Sequence, residues 1–139
     1  IALAAPLGIG LVGGFRKAPD QALAEVWWHG LPGTAWTAGV ALSGPRGCAA
    51  TTVTGSRVVL VGGVDDKGAL LNTAAIAEFD AAKPGLIAQR MLPAARAGGV
   101  AVTLPGGAVL VAGGVALPAA NGRQGQTAGA AAGMLWMWP

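Results

Sequence analysis

Residues able to carry acid–base, nucleophilic or metal chemistry are sparse: the 139-residue chain has one histidine, His29, one cysteine, Cys48, no tyrosine and six acidic side chains. A lone cysteine cannot close a disulfide within the chain, and one histidine cannot build a multi-histidine metal site. His29, in Trp28-His29-Gly30 at a loop entry, reads as exposed or structurally hydrogen-bonded in preference to a general base. Cys48 reads as a small core residue in a buried strand. Asp65-Asp66 leads into Lys67-Gly68 and reads as a solvated loop, since a calcium loop needs more oxygen ligands at regular spacing. No glycine run is followed by Gly-Lys-Ser/Thr and a helix, as a phosphate-binding loop requires. The orderly pair is Arg46 and Arg96, 50 residues apart. A recurring arginine reads first as structural, with anion attraction as its functional alternative.

The elements that position these residues are marked by three apolar runs ending in two glycines: 9–14 (IGLVGG), 58–63 (VVLVGG) and 109–114 (VLVAGG). Their glycines recur after 49 and then 51 residues, and a period of 20–50 residues signals a repeat architecture. Thr51 and Val53 on one side and the 58–61 run on the other flank Gly55-Ser56; Val100, Val102 and Leu104 and the 109–111 run flank Pro105-Gly106-Gly107 in the same way. Such segments predict β-hairpins, with glycine supplying positive φ in the turn. A continuous apolar second strand predicts a sheet covered on both faces, and the paired glycines fit positions where a Cβ would clash.

Trp36 and Leu86 each stand ten residues before an arginine. Ala24-Glu25-Val26-Trp27 and Ala77-Glu78-Phe79-Asp80 each follow a diglycine run as an acidic residue trailed by an aromatic. The order of diglycine, loop, acidic-aromatic, large apolar residue and arginine resembles the kelch repeat family, especially its bacterial form. The resemblance covers nearly the whole chain and fades after Gly114. It implies an all-β fold of kelch-type β-propeller blades, each a four-stranded antiparallel sheet, forming an incomplete ring within one chain, with blades near 1–42, 43–92 and 93–139. It also implies that Trp27, Trp36, Phe79 and Leu86 fill the wedges between blades.

Only 11% of residues are charged and mean hydropathy is +0.57, unusually apolar for a soluble domain. Residues 97–122 carry no charge, a length that suits a membrane span. Pro105, Pro118, Asn121 and several glycines interrupt it, and its text matches the hairpin segment that holds Arg57, so a strand pair is expected there instead of a helix. In the tail, Gly125, Gly129 and Gly133 are spaced as in small-residue helix packing, but Met134, Trp136 and Trp138 alternate as on one face of a strand; the outer strand of the third repeat is the favoured reading. Nine Lys and Arg against six Asp and Glu give a net charge of +3. The basic residues are scattered, which argues against a phosphate-tracking nucleic-acid surface.

Propellers close with about 4 to 8 blades, and fewer than three are counted in this sequence. The expectation is that copies of the chain, another protein, or further sequence of a longer protein completes the ring; the start without Met suits a processed or partial chain. The resulting functional expectation is a non-catalytic, protein-binding or structural subunit without cofactor or nucleic acid, in an extracytoplasmic or envelope setting. Alternatives are a small membrane-associated accessory subunit of a larger complex, and an enzyme of the sugar-oxidase or mutarotase-like kelch type, of which the copper-radical form needs tyrosine ligands that this chain lacks. Binding candidates are Arg46, Arg96, Asp65, Asp66, Arg123, Trp136 and Trp138, with loops at 15–22, 65–73 and 117–126.

Overall fold

The computed structural model describes residues 2–5, 8–17, 21–33, 35–79, 85–115 and 134–136, with 2–5 and 134–136 as strand backbone. The described residues form an all-β protein of three antiparallel sheets, and no helix occurs among them. The first sheet runs β1 (Ala2–Ala5), β2 (Gly8–Val12), β3 (Val26–Gly30) and β4 (Thr37–Ala38) in sequential order. The second has the same simple order in β5 (Ala50–Thr54), β6 (Arg57–Val61), β7 (Thr73–Glu78) and β8 (Gly85–Met91). In the third, β9 (Val100–Thr103) and β10 (Val109–Ala112) pair as a hairpin and β11 (Met134–Trp136) lies on the far side of β10. Residues 134–136 are thus a strand, in the place that β7 holds in the second sheet.

Local sequence explains the hairpins. Thr54 faces Arg57 across a two-residue turn whose Gly55 has φ +59°, a conformation that costs glycine nothing. The charge-free stretch is β9 and β10 over its described part, and no described helix is long and apolar enough to cross a membrane.

The sheets stack face to face, and the middle one is buried on both sides. Val58, Leu60, Ala75 and Ala77 meet Val12, Val26 and Trp28 of the first sheet. Their strand neighbours Val59, Val61, Ala74 and Ile76 meet Val109 and Val111 of the third. Period-two alternation sends successive residues to opposite faces, so the unbroken VVLV run of β6 is what two covered faces require. In β2, with one covered face, burial alternates, leaving Ile9 and Leu11 about 40% exposed.

The aromatic wedge differs from expectation. Phe79 is buried and stacks on Trp28 with ring centroids 4.9 Å apart, and Leu86 packs beside them. Trp27 and Trp36 lie exposed. In β3 it is Val26 and Trp28 that share the inward face, so Trp27 must point out. Phe79 approaches so closely to β2 that a Cβ on Gly10 would sit 2.9 Å from its ring.

Cys48 also differs. It is exposed, in a bend with φ +49°, where a buried strand residue was expected. Its position is the one Gly98, φ +71°, takes 50 residues later, so the bend demands a left-handed residue and this repeat supplies cysteine.

Candidate functional site: the arginine junctions and their polar cleft

Each connection between sheets passes through an arginine that touches both diglycines it separates. The Arg46 carbonyl accepts from Gly14 N–H at 2.8 Å, and the Arg96 carbonyl accepts from Gly63 N–H at 2.7 Å. Their own N–H groups donate to Leu23 and Leu71 carbonyls, which belong to residues donating in turn to Gly14 and Gly63. Forward from this loop the side chains reach the next diglycine. Arg46 Nη1 donates to the Gly62 carbonyl and, at 2.8 Å, to the Thr73 carbonyl; Nη2 donates to Thr73 Oγ1 at 2.7 Å. Arg96 Nη1 donates to the Gly113 carbonyl at 3.2 Å.

Glycine is required at these joints by close approach as well as by φ. Gly13 and Gly62 have φ of +54° and +65°, and a Cβ on either would run into the carbonyl oxygen of Arg46 or Arg96. A planar five-donor fork suits the other side of the joint, because carbonyls that end two adjacent strands must be bridged at once.

Both arginines are buried, 3% and 5% exposed, and among the described residues the ion pairs are Arg16–Glu25 and Arg57–Glu78. Carbonyl dipoles therefore do the work of a counterion. Burial pushes the Arg46 guanidinium down to about 10, still well above neutrality, so it remains charged. The Nε of each arginine is buried with no hydrogen-bond partner, a cost that accompanies so tight a seat.

Above the first junction a cleft of about 280 Å³ is lined by Ser43, Arg46, Asp65, Asp66, Thr73 and Gln89, among others. Three sequence-predicted residues, Arg46, Asp65 and Asp66, thus converge. Asp65 is committed locally: its Oδ1 accepts from Lys67 N–H and Ala69 N–H, both at 2.8 Å, an aspartate-closed turn. Ser43 Oγ donates to Gln89 Oε1 across the cleft mouth. Ser43 and Gln89 were missed because neither repeats; only the folded connection brings them together. A second cleft, about 310 Å³, lies at the opposite hairpin end, between Gly55-Ser56 and Gly106-Gly107, beside the Arg57–Glu78 pair at 3.1 Å.

Arg96 occupies the second junction. Trp136 is placed by the pairing of its backbone with Val109. Arg123, Trp138 and the loop at 117–126 lie outside the described residues, and the loop at 15–22 is described only in part. His29 is half-buried, edge-on to Trp36 at 5.3 Å, with Nδ1 buried and unpartnered. Among the described residues no group of three or more His, Cys, Asp or Glu could hold a metal. At the second cleft Ser56 Oγ donates to Glu78 Oε1 at 3.4 Å, and the cleft over Arg46 offers hydrogen-bond donors and acceptors at a rigid rim.

The structure also realigns the repeat. Gly13 N–H donates to the Glu25 carbonyl where Gly62 N–H donates to that of Thr73, so Glu25 matches Thr73, not Glu78. No protein-family model and no curated protein matches the chain.

Proposed function

We propose that this chain is a segment of a kelch-like propeller array that serves, without catalysis, as a protein-binding or structural subunit completed by sheets from outside the described residues. One observation carries the reading: the arginine junction is built twice, on the same atoms, at both sheet-to-sheet connections. A device repeated at a fixed period holds sheets at a fixed relation, which is what a platform needs, and the loops at its rim are then free to vary. The cleft over Arg46 is the binding surface this reading favours, in an extracytoplasmic or envelope setting.

A panel of hexoses tests the non-catalytic part, with oxidation, anomer interconversion and bound metal measured on the purified chain. The reading expects neither turnover nor stoichiometric metal. Sugar-dependent turnover lost in Asp66→Asn would replace it with the enzyme reading. The exposed Trp27, Leu11 and Ile9 on one sheet face favour membrane association as a second reading. Flotation of the chain with lipid vesicles in detergent-free buffer would select it.

A further inference from the structure

The sheets are stacked in one sense, which makes the two end faces non-equivalent. Aligned on the first glycine of each pair, Ile9 and Leu11 match Val58 and Leu60, which in turn match Val109 and Val111. In the second and third sheets these residues are the buried contacts to the preceding sheet. In the first sheet they are exposed, and Trp27 joins them, since β3 pairs it with Leu11. The other series is Gly10 and Val12, then Val59 and Val61, then Leu110 and Ala112. Val12, Val59 and Val61 are buried on the side of the following sheet. Leu110 and Ala112 are only half-buried, and their cross-strand partners Val102 and Val100 are 52% and 63% exposed.

We propose that these outer faces are the two halves of one head-to-tail interface, so that a second copy of this chain docks its Ile9, Leu11 and Trp27 face onto the Val100, Val102 and Leu110 face of the first. The proposal rests on the repeat-array reading above and names its partner. The chain already makes this interface twice internally, with the same positions on each side, so the exposed halves continue an interface known to close. Neither half carries a charged residue among those named, and each leaves apolar area that a monomer would keep in water. A heterologous contact of this kind uses different patches on the two copies. In both internal junctions the arginine lies on the connecting chain, whereas the residues named for the contact between copies join it by apolar burial alone. It should be weaker than the internal ones and dependent on concentration.

Sedimentation of the full chain in detergent-free buffer tests this with one blocked variant for each face, Leu11→Arg and Val102→Arg. The expected results are a wild-type mass rising above 13.5 kDa with concentration, a monomer for each variant alone, and a dimer when the two are mixed, because one intact junction remains. Circular dichroism checks each variant's fold, and Ile9→Lys and Val100→Lys replace either that loses β signal. A well-folded wild type that stays monomeric, a single variant that still self-associates, or a mixture that stays monomeric overturns the proposal. The array reading fails separately, if Leu60→Arg at the buried equivalent of Leu11 folds as well as Leu11→Arg does.

Discussion

The guanidinium of Arg46 donates to the carbonyls of Gly62 and Thr73 while its own backbone carbonyl accepts from Gly14, so a single residue is bonded to two sheets. Arg96 repeats the backbone half of this with Gly63 and the side-chain half with Gly113. Hydrogen bonds from a charged donor are the stronger kind; their removal takes this donor from the Gly62 carbonyl, while the Thr73 carbonyl keeps the Gly62 N–H.

Arg46→Lys keeps the charge but loses the fork. With three side-chain bonds at stake, the expected loss is about 2–4 kcal/mol, against about 1–2 kcal/mol for Arg96→Lys. Urea denaturation at neutral pH measures both. Equal losses would mean that the bonds from Arg46 to Thr73 contribute nothing.

The stability difference between wild type and Arg46→Met, which places no titrating group in this seat, should be flat from about pH 6 to 8, because a group lowered only to about 10 is protonated in both folded and unfolded chains there. The sign beyond that window follows from the lowered value. The unfolded chain binds more protons between the folded and unfolded values, so the arginine's own contribution to stability increases as pH climbs through about 10. A difference that changes within the neutral window would require a titrating partner for Arg46.

Much of this architecture was legible in the sequence. The turn at Gly55-Ser56, the positive φ of the diglycines and the doubly buried β6 all follow from local chemistry and period. The two arginines announced themselves by spacing, and their burial accounts for that regularity. The acidic-aromatic match misled because it paired Glu25 with Glu78, an odd number of residues away from the true partner Thr73. An odd slip reverses the faces of a strand, which is why Trp27 was expected in the wedge that Trp28 fills. The cleft was legible only in part, since Ser43 and Gln89 have no repeat signature.

Cys48→Gly should stabilise the fold by up to about 1 kcal/mol. It relieves the left-handed strain of a residue with φ +49°, offset in part by glycine's greater freedom when unfolded. Thermal melts read the sign. The exposed thiol should also react with an aromatic disulfide reagent in the native protein without prior unfolding.

Gly10→Val should cost about 1–3 kcal/mol, the usual penalty for overpacking, because its side chain must displace the ring of Phe79. Loss of the near-ultraviolet dichroism of the Trp28–Phe79 stack should accompany it. An unchanged spectrum would place Phe79 elsewhere.

Amide hydrogen exchange at Gly14 and Gly63 tests most directly whether each arginine ties its own pair of sheets. The account predicts faster exchange in Arg46→Lys at Gly63, whose peptide carbonyl the fork holds, and at Gly14, whose acceptor loop loses its anchor to the second sheet, and in Arg96→Lys faster exchange at Gly63 with Gly14 unchanged. Exchange at both glycines that is unchanged in either variant would contradict it.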